Sequence, residues 1–102
     1  MKFIPTFACL VLMPIAAAHA RVQFTGGDGL SEDTAIKITG AANEMEGIDA
    51  ENTWMRQHTT GCSKSSQALI NGKTSLYDLI ELKCGAETRT LYFDINDFFG
   101  KM

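Results

Sequence analysis

Apolar and polar side chains alternate along residues 77–95, and this alternation predicts two strands joined by a tight turn. Gly85 and Ala86 fill the turn. Glycine at the first position is typical of a type II′ turn, which requires a positive φ there. The hairpin is therefore expected to have one face turned towards the core. That inner face is predicted to carry Leu76, Ile80, Leu82, Leu91, Phe93 and Ile95.

The two-residue turn also defines the register of this hairpin. It places Cys84 opposite Glu87 and Ile80 opposite Leu91. Asp78 falls on the inner side, where an unpaired carboxylate is costly. We therefore expect a bulge at Asp78, an edge position or a hydrogen-bonding partner for it.

Residues 35–39 alternate in the same way and predict a first strand at a sheet edge, which Gly40 ends. Asn43 followed by Glu46 matches a capping box, so a helix is expected from there to about His58. Gly47 inside this helix indicates close approach to a strand. The stripe expected to pack on the sheet is Ala41, Met45, Ile48, Asn52 and Met55.

Residues 65–70 predict the next strand, and two loops are compatible with the chain that follows it. Asn71 and Gly72 favour a two-residue turn. A five-residue loop over residues 71–75 would instead place Cys62 directly opposite Cys84, and we favour it for that reason. After the second hairpin, Asn96 is expected to cap a short helical turn, so that the phenylalanines at 98 and 99 fold back onto the core edge.

These elements predict an α+β domain in which one helix packs on a three- to four-stranded antiparallel sheet, in the order β-α-β-β-β. The domain is expected to span residues 35–102. Residues 21–34 are rich in Gly, Asp and Ser and are interpreted as an irregular N-terminal arm.

Residues 1–20 have the layout of a cleavable signal peptide. Lys2 precedes an apolar run over residues 7–15, and Ala18, His19 and Ala20 close the segment with small residues at the cleavage positions. The run is short for a membrane span. Cys9 would suggest a lipoprotein, but the residues before it match a lipobox poorly. We therefore expect a periplasmic or secreted protein, cleaved near Ala20.

Export makes a disulfide between Cys62 and Cys84 the expected state of these cysteines, because paired thiols oxidise outside the cytoplasm. Two cysteines without supporting histidines do not form a zinc site. A separation of 22 residues also differs from a CxxC redox motif.

The remaining chemistry of the chain favours neither catalysis nor cofactor binding. After residue 20 the only histidine is His58, and the spacing of Asp28, Glu32 and Asp33 does not fit an EF-hand calcium loop. All 12 acidic residues but only 8 of the 9 basic residues follow residue 20. A mildly acidic chain is unsuited to nucleic acid or anionic membranes, so neither is expected as a partner. Because the chain offers no nucleophile with a base, no paired carboxylates and no metal-ligand set, we predict no enzyme activity, no cofactor and no metal.

The run from Gln67 to Asn71 (QALIN) is similar to the Q-x-V-x-G loop of cystatins, with Leu69 in place of Val and Asn71 in place of Gly. Gly26 and Gly27 lie upstream of the first predicted strand, as an N-terminal inhibitory segment would. The order strand, helix and three strands also resembles the cystatin-like arrangement. The Pro-Trp pair of the second inhibitory loop is absent. The resemblance implies an inhibitor of cysteine peptidases.

The whole pattern GGDG, GAANEMEGIDAE, SQALI, YDLIEL and YFDINDFFGK also resembles a group of small, uncharacterised exported bacterial proteins. This second resemblance covers nearly all of the chain after residue 20. It implies a periplasmic or secreted location and no particular activity.

The leading functional hypothesis is a small exported protein that binds an unidentified partner protein. The outer face of the predicted hairpin carries Tyr77, Leu79 and Tyr92, which form an apolar patch with a polar rim. Trp54 lies off the core stripe and would either cover the flank of the sheet or face a partner. Cystatin-like inhibition through Gly26, Gly27 and residues 67–71 is the alternative, and self-association through sheet edges is a third possibility.

Overall fold

The structure, a computed structural model, describes residues 21–102, which form five strands and one helix. The signal-peptide prediction falls on residues 1–20, outside this range. The elements in chain order are β1 (Gln23–Gly26), β2 (Ile36–Thr39), α1 (Glu44–His58), β3 (Cys62–Asn71), β4 (Leu76–Cys84) and β5 (Glu87–Asp94).

The α+β class is confirmed, but the sheet has five strands and is mixed. Its order is β1-β2-β5-β4-β3, and β2 runs parallel to β5 while every other pair is antiparallel. The predicted irregular arm contains β1, which pairs with β2 from Gln23 to Gly26. The parallel pairing of β2 with β5 places Ile36 beside Phe93. Both side chains are almost fully buried there, and this burial stabilises the pairing.

The hairpin of β4 and β5 has the predicted register. Cys84 pairs with Glu87 and Ile80 pairs with Leu91, and Gly85 has the positive φ of 68° that the turn requires. The inner-face prediction is also confirmed: Leu76 packs half-buried against the core, and the fully buried members are Ile80, Leu82, Leu91, Phe93 and Ile95.

The hairpin of β3 and β4 brings the two cysteines opposite each other, as the disulfide hypothesis required. Cys62 pairs with Cys84, their Cα atoms are 4.2 Å apart, and the two sulfurs are bonded. The predicted loop is wrong by one residue, because Asn71 already pairs with Leu76. A bulge at Ser65, between the paired residues Lys64 and Ser66, absorbs the difference.

Helix α1 begins as predicted. The side chain of Asn43 accepts a hydrogen bond from the backbone N–H of Glu46 at 2.9 Å, which satisfies one free donor of the first turn. The carboxylate of Glu46 reaches back to the N–H of Ala42 at 2.9 Å and also pairs with Arg21 at 2.8 Å. The N–H of Thr59 closes the helix on the carbonyl of Met55.

The predicted core stripe of this helix is wrong for Met45 and Ile48, which are 73% and 41% exposed. The helical residues that are buried are Gly47, Ala50, Glu51 and Met55. The cause is Phe98, whose ring lies against Gly47, so that a Cβ atom there would be 2.3 Å from the ring. Gly47 therefore marks close approach to the C-terminal segment and not to a strand.

The chain after β5 folds back onto the helix, as expected from its two phenylalanines. Phe98 is buried and Phe99 is exposed. Asn96 does not cap this segment; its side-chain oxygen faces the N–H of Leu76 at 3.4 Å. Among residues 21–102, no helix is long and apolar enough to cross a membrane.

Candidate functional site

The predicted patch on the outer face of the sheet, the face away from α1, is smaller than the sequence suggested. Tyr77 is only 5% exposed, because the turn at Gly72 lies over its ring. Its ring meets that of Tyr92 edge-on at 6.2 Å. Leu79 and Tyr92 are paired as predicted but half-buried. Tyr77 is thus corrected from a surface candidate to a packed residue.

Trp54 covers the flank of the core, which is one of the two alternatives for it. The indole lies edge-on to the ring of Phe93 at 5.6 Å and stacks on the imidazole of His58 at 4.1 Å. The Nδ1 atom of His58 lies 3.0 Å from the carbonyl oxygen of Trp54. Both side chains are therefore held in place by intramolecular contacts.

The two segments of the cystatin-like alternative lie at opposite edges of the sheet. Gly26 ends β1 and Gly27 follows it, whereas Gln67 and Asn71 belong to β3. The order β1-β2-β5-β4-β3 places three strands between them. The structure does not bring the two segments together.

Strand β3 is the longest strand of the sheet and forms one of its edges. In an antiparallel pair, successive residues direct their backbone groups alternately towards the partner strand and away from it. The carbonyl of Leu76 accepts a bond from Ile95 on the β5 side, whereas the carbonyl of Glu81 meets the hydroxyl of Ser65 on the β3 side. Counting along the register from these two carbonyls shows which residues of β3 direct their N–H and C=O groups away from the sheet: Gln67, Leu69 and Asn71.

The side chains of this free edge are uncharged from Ser66 to Asn71, and Leu69 is 51% exposed. The amide of Gln67 donates to the carboxylate of Asp78 at 3.1 Å, and its oxygen accepts from the ammonium of Lys64 at 3.0 Å. Asp78 therefore has the hydrogen-bonding partner that its inward position requires. The bond between Gln67 and Asp78 also anchors the middle of β3 to β4.

Behind this edge, a pair of carboxyl groups is buried between the helix and the sheet. Glu51 is fully buried, and neither of its oxygens has a hydrogen-bond partner within residues 21–102. Burial, and after it the nearby carboxyl of Asp78, raise the pKa of Glu51 to about 10, although Lys64 acts in the opposite direction. Glu51 therefore holds a proton at neutral pH.

An open cleft of about 370 Å³ lies between the end of α1 and the first residues of β3. Two cationic side chains, Arg56 and Lys64, line it. Within the described residues, the guanidinium of Arg56 donates one side-chain hydrogen bond, to the hydroxyl of Thr53 at 3.2 Å. Met55, Cys62 and Leu82 contribute apolar lining, and the other lining residues are Asn52, Thr59, Thr60 and Gly61.

A second cleft of similar volume lies between β1 and the first half of α1, lined by Phe24 and Ala50. Two of its three charged side chains, Arg21 and Glu46, neutralise each other in an ion pair, and the third is Asp49. Across residues 21–102, no group of three metal-binding side chains lies close enough together to hold an ion.

Neither the burial of Glu51 nor the meeting of the two cations in the first cleft was predicted from the sequence. A pattern that indicates burial of Glu51 is nevertheless present, because residues 47, 50, 51, 54, 55 and 58 follow the spacing of one helical face. A charged residue in the middle of that face favoured the alternative stripe through Met45 and Ile48. Arg56 and Lys64 come together only through the tertiary fold, and no local pattern predicts their contact.

Comparison of this chain with protein-family models, with curated proteins and with solved structures finds no match.

Proposed function

We propose that the protein is a small, exported, non-catalytic binding protein that takes up an extended segment of a partner protein along the free edge of β3. The observation that carries this proposal is the row of outward-facing backbone groups at Gln67, Leu69 and Asn71. Addition of a strand to such an edge satisfies these groups, and pockets for alternate side chains supply specificity.

The edge is unevenly protected against such pairing. Charged side chains and bulges are the usual means by which proteins blunt a free edge. Here Lys64 and the bulge at Ser65 protect only the first part of β3. Residues 66–71 carry no charge and present the exposed Leu69 to a partner. This part of the strand is therefore the docking segment.

Further support comes from the cysteine and histidine side chains, which are the groups best suited to catalysis in the described chain. The two cysteines are bonded to each other, and His58 is stacked on Trp54. The disulfide and the signal-like pattern of residues 1–20 both favour action outside the cytoplasm. The cystatin-like alternative gains no support, because its two segments lie at opposite edges of the sheet.

A proline substitution tests the edge directly. The N–H of Leu69 points away from β4, so Leu69→Pro removes a donor from the free edge and leaves the β3–β4 ladder intact. A displayed library of random linear peptides is selected on the wild-type protein, and the enriched peptides are titrated against both proteins. We expect Leu69→Pro to weaken binding by about tenfold or more, because proline both lacks the donor and obstructs the incoming strand.

Two further variants complete this test. Ile48→Ser changes an exposed apolar side chain on the helix, away from β3, and should bind the peptides as the wild type does. Leu69→Asp places a charge on the edge without a backbone change and should also weaken binding. Enriched peptides that bind Leu69→Pro and Leu69→Asp as tightly as wild type, or the enrichment of none, would overturn the proposal.

A further inference from the structure

We infer that the partner segment runs antiparallel to β3 and that its C-terminal carboxylate lies in the cleft between Arg56 and Lys64. This inference rests on the proposed function, since it concerns the direction and the end of the segment bound at the β3 edge. It names the chemistry of the ligand: an extended peptide with a free α-carboxylate and an apolar last side chain.

The charges that line the cleft support this inference. Within residues 21–102 neither Arg56 nor Lys64 lies within salt-bridge distance of a carboxylate, and residues 1–20 contain no acidic side chain. Arg56 reaches only Thr53, and Lys64 reaches the amide oxygen of Gln67. Two cations that share one cleft without a counter-ion attract an anion, and a carboxylate suits both of them as an acceptor.

The acidic groups near the cleft do not neutralise these cations. Glu51 is buried and protonated, and Asp78 accepts from Gln67. Glu81 lies on the outer face, where it contacts the hydroxyl of Ser65 at 3.3 Å. The carbonyl groups at the end of α1 carry a partial negative charge, which the hydroxyl and N–H of Thr59 partly satisfy.

The direction of β3 relative to the cleft also supports this inference. Strand β3 begins at Cys62 beside the cleft and ends at Asn71 on the far side. A segment that pairs antiparallel with Leu69 and Gln67 advances towards Lys64, so its last residues arrive at the cleft. A parallel segment would bring its N-terminal end there, and a terminal ammonium would face two like charges. The cleft therefore favours the antiparallel direction.

The size and lining of the cleft also support this inference. Beside the two cations, the cleft has apolar lining from Met55, Cys62 and Leu82, and its remaining lining residues are Asn52, Thr59, Thr60 and Gly61. A volume of about 370 Å³ accommodates one large apolar side chain together with its carboxylate. Burial of that side chain against the apolar lining adds to the backbone hydrogen bonds along the edge. A C-terminal leucine has the required chemistry.

The experiment compares two versions of one random peptide library in which every member ends in leucine, one with a free α-carboxylate and one with a C-terminal amide. Binding is followed by the shifts of assigned backbone amides in the full chain. We expect both versions to shift the amides of Gln67 and Leu69. The free acid should also shift those of Cys62 and Lys64, and it should bind about tenfold to a hundredfold more tightly, as expected for charge-assisted hydrogen bonds.

Two additional measurements test the role of the terminal carboxylate and the direction of the bound segment separately. Arg56→Gln and Lys64→Gln, combined, should abolish the preference for the free acid, so that the two library versions bind the variant equally tightly. A nitroxide placed on the N-terminus of the peptides should broaden the amides of residues 71–75 for an antiparallel segment. Broadening near Cys62 would instead mean a parallel segment and would overturn the inference.

The remaining outcomes are also decisive. Equal binding of the two library versions at the edge would overturn the inference and leave the proposed function standing. Absence of any shift at Gln67 and Leu69 with either version would overturn both.

Discussion

At the scale of single residues, the side chain of Glu51 lies in an environment that opposes its ionised form. It is fully buried between α1 and the sheet and faces the carboxyl of Asp78. An ionised carboxylate there would be both desolvated and repelled. A protonated Glu51 avoids both costs, so folding of the protein is coupled to retention of one proton.

This coupling predicts a dependence of stability on pH. The pKa of Glu51 rises from 4.5, its ordinary value, to about 10 in the folded protein. Between these values the folded state holds one more proton than the unfolded state, so the free energy of unfolding falls as the pH rises. The loss is at most about 1.4 kcal/mol per pH unit and stops above the folded pKa. Urea denaturation at a series of pH values from 5 to 9 measures it.

The matched control is Glu51→Gln, which keeps the size and polarity of the side chain and cannot ionise. Its free energy of unfolding should vary less with pH over the same range. Lys64 opposes the effect of burial, so Lys64→Gln should raise the pKa of Glu51 further and extend the pH-dependent loss of stability to higher pH, with the same maximum slope. Parallel stability curves for wild type and Glu51→Gln would show that Glu51 is not responsible.

At the scale of elements, the sequence predicted both hairpins and the helix start because local residues define them. The turn at Gly85 and the cap at Asn43 each depend on residues within a few positions of one another. The orientation of α1 about its axis depended on more distant contacts. Phe98, far along the chain, packs against Gly47 and thereby turns Met45 and Ile48 towards solvent.

Gly47→Ala provides a test of this helix contact. In an exposed helix position the substitution would stabilise by up to about 1 kcal/mol. Here the added Cβ atom would lie 2.3 to 2.4 Å from three atoms of the Phe98 ring. We expect a net loss of about 1 to 3 kcal/mol in the free energy of unfolding, because the C-terminal segment must move. Chemical denaturation of the variant and the wild type measures the difference.

Gln57→Ala serves as a comparison on the exposed side of the same helix and should change stability by less than about 0.5 kcal/mol. In the double variant Gly47→Ala with Phe98→Leu, the smaller side chain gives the methyl group room. The two changes should therefore cost less together than the sum of their separate effects. A stabilising Gly47→Ala would contradict the close contact.

Some features of the candidate site could be predicted from the local sequence, whereas others depend on contacts between residues that are distant in the chain. Strand character for residues 65–70 could be predicted from their pattern, and Cys62 opposite Cys84 followed from the pairing of two cysteines in an exported chain. The status of β3 as the free edge could not be predicted, since it depends on β5 rather than β3 lying beside β2. The bulge at Ser65 was missed because no glycine or turn residue marks it.

At the scale of the whole molecule, the disulfide joins the edge strand β3 to its neighbour β4. The double variant Cys62→Ser with Cys84→Ser removes a cross-link between two residues that are 22 positions apart in the sequence. We expect the free energy of unfolding to fall by about 3 kcal/mol, since the unfolded chain regains conformational freedom. Thermal and urea unfolding of the variant and the oxidised wild type give the difference.

Reduced wild-type protein is the natural comparison for the serine variant. Reduction breaks the same cross-link without a change of sequence, so the two proteins should have similar stability. The half-buried cysteines also contact the core, and a loss that greatly exceeds the cost of reduction would assign the effect to packing. Equal stability of oxidised and reduced wild-type protein would contradict a stabilising role for the bond.

The parallel pairing of β2 with β5 has a consequence for the order in which the molecule assembles. Ile36 pairs with Phe93 at a sequence separation of 57, whereas β3, β4 and β5 pair with their immediate neighbours in the chain. Closing so long a loop is slow relative to hairpin formation. We therefore expect the three-stranded meander to form first and β1 with β2 to dock last, so that the free edge of β3 is present before the core is complete.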